Sequence, residues 1–167
     1  MRPTTLAAVN RSVEDPDHAL FNRFSSLVRL IRIAAYCRRF VRHCRTKIIG
    51  TDLQVTPFLT ADELQQTLIG LVKVVQEDCF RHEIDTIRTG KQADLKKSPL
   101  KTLNPFIQDG LHRVGGRMNH SSYSFTRKHT ILLPEKHPLK SLLIESVHKQ
   151  LLHVGPLAMI AHIHEQF

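Results

Sequence analysis

The stretch FNRFSSLVRLIRIAAYCRRFVRHCR, residues 21–45, sets the fold class. Leu30, Ile33, Ala34, Cys37, Val41 and Cys44 recur at three- and four-residue steps and form one apolar stripe, the period of an α-helix. Arg29, Arg32, Arg39 and Arg42 fall on the opposite face, which makes them candidate nucleic-acid contacts. A long basic amphipathic helix of this kind suits nucleic acid, an anionic membrane surface, or a plain solvated face over a buried stripe.

Downstream, the break at residues 50–57 is followed by Thr60-Ala61-Asp62-Glu63, which has the capping-box form. Behind it Leu64, Leu68, Leu71, Val72, Val75 and Cys79 mark the buried side of a second helix over residues 60–89, stopped by Gly90. Two amphipathic helices joined by a modest loop predict an antiparallel pair with facing stripes. Upstream, residues 1–20 contain Pro3 and Pro16 and read as a loose lead-in. The helical connector then spans 21–95, and residues 96–167 form a second unit.

The period changes in that second unit. Lys91 to Asn104 is a polar linker. Phe106-Ile107-Gln108-Asp109-Gly110-Leu111-His112-Arg113-Val114 then sets an Asp-Gly turn between two short alternating runs, a hairpin signal. Gly115-Gly116 bends the chain, and His129 to Leu133 reads as a further strand closed by Pro134. A small β-unit of about three strands is therefore expected over 106–133. Pro138 fits the first turn of a helix, with Leu139, Leu142, Leu143, Val147 and Leu151 as its apolar face. Gly155-Pro156 ends that helix and starts another from Leu157 to Phe167, a helix-turn-helix layout. The fold class is mainly α with a small β-unit.

The formal charge of +9 is uneven: +7 over residues 1–50, −2 over 51–100 and +4 over 101–167. Such a balance favours polyanions, through phosphate attraction that is blind to sequence. Cys37, Cys44 and Cys79 are odd in number and contain no Cys-x-x-Cys pair, so they read as buried free thiols of a reducing compartment. No apolar run approaches the roughly 20 residues of a membrane span, and the first residues lack the apolar core of a leader. An intracellular protein is expected. Walker, Gly-x-Ser-x-Gly and dinucleotide motifs are all lacking. Asp62-Glu63 and Glu77-Asp78 read as capping and solvated positions, so a catalyst is not expected.

His148 and His153 are the remaining chemistry. Five residues apart on one helix they would point about 140° from each other, so they converge only if the helix ends between them. His162 and His164 would point about 160° apart on their helix and make poor substitutes. A structural zinc site needs four ligands, of which two imidazoles supply half.

His148-Lys149-Gln150-Leu151-Leu152-His153-Val154-Gly155-Pro156 resembles the histidine half of the His-His-Cys-Cys zinc-binding domain of BEL/Pao-type retrotransposon integrases. Gly110-Leu111-His112-Arg113-Val114-Gly115-Gly116-Arg117 is similar to the signature that precedes that domain. His129 to Pro134 with Lys136-His137-Pro138-Leu139 matches its next segment, and Ser98-Pro99-Leu100 with Leu103-Asn104-Pro105-Phe106 its lead-in. Phe24-Ser25-Ser26-Leu27 and Cys37-Arg38-Arg39-Phe40 resemble the helical connector between RNase H and integrase. The likeness runs from about Phe21 to Phe167.

The resemblance implies zinc as cofactor, with His148 and His153 as ligands completed by a downstream Cys-x-x-Cys that is not reached by Phe167. It also implies a nucleic-acid partner (DNA ahead of RNA), self-association, no membrane, and work in the nucleus. The three acids of the integrase catalytic core would lie further on, so the expected role is a non-catalytic module of DNA integration. Leu157 stands where the family has Thr, and His164 where Arg is common, which marks a diverged copy. The rival expectation is a helical protein-interaction module whose basic face serves solubility.

Overall fold

The computed structural model describes residues 19–50, 56–89, 99–115 and 122–167. The expected lead-in through residue 18, the helix stop at Gly90, the linker from Lys91 to Ser98 and the Gly116-Arg117 segment lie outside them. Seven α-helices and one two-stranded antiparallel sheet are found among the described residues, so the chain is mainly α with a small β-unit, as its periodicities predict.

The expected first helix divides into α1 (Ala19–Asn22) and α2 (Leu27–Ile49). Gly50, at φ 77°, closes α2 in the left-handed region that only glycine enters without a steric penalty. The capping box is present: Thr60 Oγ1 accepts from the Glu63 amide at 3.2 Å, and Glu63 Oε2 accepts from the Thr60 amide at 3.0 Å. From it springs α3 (Ala61–Cys79). Arg38 reaches Gln66 while Arg39 and Arg42 reach Glu63. As numbers rise on α2 they fall on α3, so the pair is antiparallel.

Two expectations about these helices need correction. The helix over 60–89 bends at Phe80 (φ −118°, ψ 24°), and α4 (Arg81–Arg88) takes a new direction. Ile84 and Thr86 are both buried, yet residues two apart lie about 160° apart around a helix. A straight continuation would leave one of them in water. The bend instead lets α4 touch both α3 and the sheet.

The stripe of α2 is also misplaced. Leu27, Leu30 and Ala35 are buried, whereas Ile33, Cys37 and Val41 are exposed and Ala34 and Cys44 only half-buried. Packing selects the Leu27–Leu30–Ala35 side and leaves most of the more continuous apolar row outside. Cys79 likewise faces solvent, so the thiols are free but not buried.

The sheet consists of β1 (Phe106–Gln108) and β2 (Leu111–Arg113), with Gln108 paired to Leu111. Asp109 (φ 53°) and Gly110 (φ 72°) form the turn, both left-handed as a type I′ hairpin requires. Lys73 Nζ donates to the Asp109 carbonyl and fixes this turn to α3. The expected third strand is a single bridge, Ile131 to Arg113. Its ladder goes no further past Leu132 because the Gln76 side chain takes both the His112 amide and the Leu132 carbonyl, which would otherwise bond each other. After a short α5 (Phe125–Lys128), α6 (Pro138–Gln150) starts with Pro138 in its first turn and His137 Nδ1 accepting from the Leu139 amide at 3.0 Å. Gly155-Pro156 opens α7 (Pro156–Ile163).

One core joins these pieces. Leu30 from α2, Val72 and Val75 from α3, Leu111 from β2 and Leu139 from α6 are all at most 3% exposed. Each such side chain contributes roughly 1.5–3 kcal/mol when fully buried. The cluster draws on residues from both sides of position 95, where the sequence divides the connector from the second unit.

Candidate functional site

The end of α6 is built as a Schellman motif. The Leu152 amide donates to the Lys149 carbonyl at 3.2 Å, and the His153 amide to the His148 carbonyl at 2.9 Å. That second bond ties residue 153 back against residue 148, and the motif commonly pairs those two side chains by contact. Here the pair is two imidazoles. His153 Nδ1 lies 2.9 Å from His148 Nε2, with ring centroids 4.6 Å apart and planes at 75°. The condition set by the sequence, a helix that ends between them, is therefore met.

The juxtaposition carries strain. Leu152 (φ 54°) and His153 (φ 64°) are consecutive left-handed residues, and neither is glycine. Each costs about 1–2 kcal/mol relative to a right-handed residue. Leu152 gains no compensating burial, being 86% exposed. Strain of this kind, held by the surrounding structure, concentrates at functional positions.

The donor set fits half a tetrahedral zinc site. Two imidazole nitrogens about 2.0–2.1 Å from one zinc stand roughly 3.3 Å apart. The pair needs only a few tenths of an ångström to open to that span. In the structure the same two nitrogens stand at hydrogen-bond distance, with the donor set by the tautomer of each ring. Among the described residues no third His, Cys, Asp or Glu joins them. His162 lies apart from them near the end of α7, 3.8 Å from Glu165.

The four arginines do not act as one face. Arg29 and Arg32 are exposed on α2. Arg39 is instead a clamp, with only 11% of its side chain exposed. It donates to both Glu63 oxygens and to the Thr56 and Phe58 carbonyls, pinning the approach to α3. Arg42 stands 3.6 Å from the same carboxylate. The Arg39 hydrogen bond, then the Thr60 amide, then the charges of Arg39 and Arg42 pull the Glu63 carboxyl down to about 2. Glu63 therefore caps α3 and holds Arg39 at once, and four of the five Arg39 N–H donors are taken by Glu63 and the Thr56 and Phe58 carbonyls, which leaves a single Nη1 hydrogen. Periodicity cannot find this, because the partner lies 24 positions away.

Two further contacts escaped the sequence reading. Gln76, 1% exposed, reaches from α3 to both edges of the β-unit. Its Oε1 accepts from the His112 amide at 2.8 Å, and its Nε2 donates to the His112 and Leu132 carbonyls at 3.0 and 2.6 Å. The only signal was a glutamine next to Val75 in an apolar stripe. Gly115 lies so close to the chain before β1 that an added Cβ would sit 2.2 Å from the Asn104 carbonyl oxygen. This gives the first glycine of the Arg113-Val114-Gly115-Gly116 segment a physical reason. Arg113 beside it donates from Nη1 to the His129 carbonyl at 2.8 Å, and burial lowers its pKa.

No family model, no curated protein and no solved structure matches the chain. Among the described residues no helix is long and apolar enough to cross a membrane.

Proposed function

We propose that this chain is a zinc- and nucleic-acid-binding module of a BEL/Pao-type retrotransposon integrase, non-catalytic in itself and acting with DNA in the nucleus. The observation that carries the reading is the His148–His153 pair, brought to 2.9 Å across a helix end by two consecutive left-handed residues. His148 and His153 would hold the metal. When bound with its full set of ligands, zinc in such a site supplies folding energy rather than chemistry. What these residues do themselves is fix the turn into α7. The Gln76 and Gly115 contacts fix the β-unit that precedes α6 and give the turn a firm base.

Nucleic-acid contact falls to the exposed arginines. Arg29 and Arg32 are the contacts of choice, while Arg39 is largely engaged by Glu63 and the chain before α3, and Arg42 is shared with Glu63. Binding of a mixed-sequence duplex should fall linearly with log salt, by about 0.9 per phosphate neutralised. The Arg29→Gln/Arg32→Gln double variant should flatten that slope by about two contacts. Fluorescence anisotropy at several salt concentrations reads both quantities. A slope that is flat in the parent chain, or unchanged in the double variant, would remove nucleic acid from the proposal.

A further inference from the structure

The apolar row that the core leaves outside has a second regularity. Leu27, Leu30, Ala34, Cys37, Val41, Cys44 and Ile48 follow steps of three and four without a break, the a/d pattern of a coiled-coil seam. The first two are buried in the core, but from Cys37 onward the seam emerges. Val41 is 46% and Ile48 85% exposed, and Phe40 beside them is 68% exposed. A groove of about 440 Å³ runs between this part of α2 and the start of α3. Cys37 and Val41 are on its apolar side, Arg38, Arg42 and Arg45 line it from the same helix, and Glu63, already held by Arg39 and Arg42, is the one acid in its lining. The whole of α2 carries seven Lys/Arg and no acid.

Shape and charge together select the occupant. An apolar seam offers phosphate nothing, which argues against nucleic acid here. A concave groove admits a helix but not the flat surface of a bilayer. A second copy of α2 would set Arg38, Arg42 and Arg45 against their own counterparts, and like charges flanking a seam oppose pairing. An acidic helix meets the same arginines as opposite charges. We propose that the groove beside Cys37 and Val41, with the exposed Ile48 on the same seam beyond it, docks an amphipathic helix of another protein, with its apolar stripe flanked by Asp and Glu. That helix completes a three-helix arrangement with α2 and α3 by laying its apolar face into the groove. The inference is independent of the zinc pair and of Arg29 and Arg32.

The test uses the full chain and a fluorescent synthetic peptide of about three heptads, with Leu at every a and d position and Glu at every e and g. Its glutamates keep the peptide from pairing with itself. A sister peptide carries Lys at e and g. The Glu peptide should bind one to one and about tenfold or more tighter than the Lys peptide. Val41→Glu with Ile48→Glu, both at exposed positions, should lower its affinity by about tenfold or more without unfolding the chain. Arg38→Glu with Arg45→Glu should reverse the preference. Equal binding of the two peptides, or none, overturns the proposal. So does a dimer in sedimentation that Val41→Glu dissolves, which would make the occupant a second copy. Binding to phosphatidylserine–phosphatidylcholine vesicles that the same change abolishes would assign the face to a membrane instead. Salt-dependent duplex binding that survives Val41→Glu/Ile48→Glu keeps this result separate from the nucleic-acid reading.

Discussion

Replacing Gln76 with Leu should destabilise the chain by roughly 2–5 kcal/mol, although the two side chains are close in volume. The substitution leaves no large cavity, so the loss measures hydrogen bonding alone. It strips the buried His112 amide of its acceptor and the Leu132 carbonyl of its Gln76 donor. Each buried group left unsatisfied costs about 1–3 kcal/mol. The His112 carbonyl suffers less, because the Leu132 amide still donates to it at 3.0 Å. Against a total stability of about 5–15 kcal/mol, a loss of this size is large. Denaturant unfolding should show a lower midpoint with an unchanged slope. A loss below about 1 kcal/mol would mean that the amide does not bridge α3 to the β-unit.

Gly115→Ala is the second large effect, expected at about 3 kcal/mol or more because overpacking falls here on backbone. The new methyl would meet the Asn104 carbonyl oxygen at 2.2 Å, and a backbone atom cannot rotate aside as a flexible side chain can. Relief requires moving residue 115, whose amide is held at 3.0 Å by both the Leu103 and the Asn104 carbonyls. The Val114 amide bond to the Thr130 carbonyl would be disturbed with it. Gly70 supplies the contrast. It lies inside α3 with open space where its Cβ would go, so Gly70→Ala should stabilise by about 0.5–1 kcal/mol. Thermal unfolding of the two variants side by side gives the comparison. A Gly115→Ala as mild as Gly70→Ala would show that the close approach to Asn104 is wrong.

What could be read in advance was local. The Thr60–Glu63 box, the Asp109-Gly110 turn, Pro138 in the first turn of α6 and the Gly155-Pro156 restart each depend on neighbours within a few residues. The hidden features depend on partners far along the chain. Periodicity gave α2 an apolar face but could not say which face has a neighbour. The same helix shows one side to α3 and α6 and leaves the Cys37–Val41 row outside. Arg39 looks like any solvated arginine until Glu63 is folded against it. Gln76 breaks an apolar pattern, and only the bonds it makes across 36 and 56 positions explain why. The histidine pair was legible as a condition, a helix end between 148 and 153. The Schellman bond that fulfils it is set by residues 148–153 themselves.

The most direct test of the metal reading is a zinc titration of the full chain, followed through the imidazole nitrogen resonances of all its histidines. The His148 and His153 rings should respond together, in a single binding step, as the metal takes the place of the contact between their nitrogens. Two imidazoles alone supply much less than the roughly 10–16 kcal/mol of a complete structural zinc site, so the affinity should be weak and the gain in helix signal small. His148→Ala should abolish the response of His153, because neither ring holds the metal unaided. His162 and His164 should stay unmoved throughout. A response centred on His162 or His164, or a His153 that still responds in His148→Ala, would contradict the assignment of the pair.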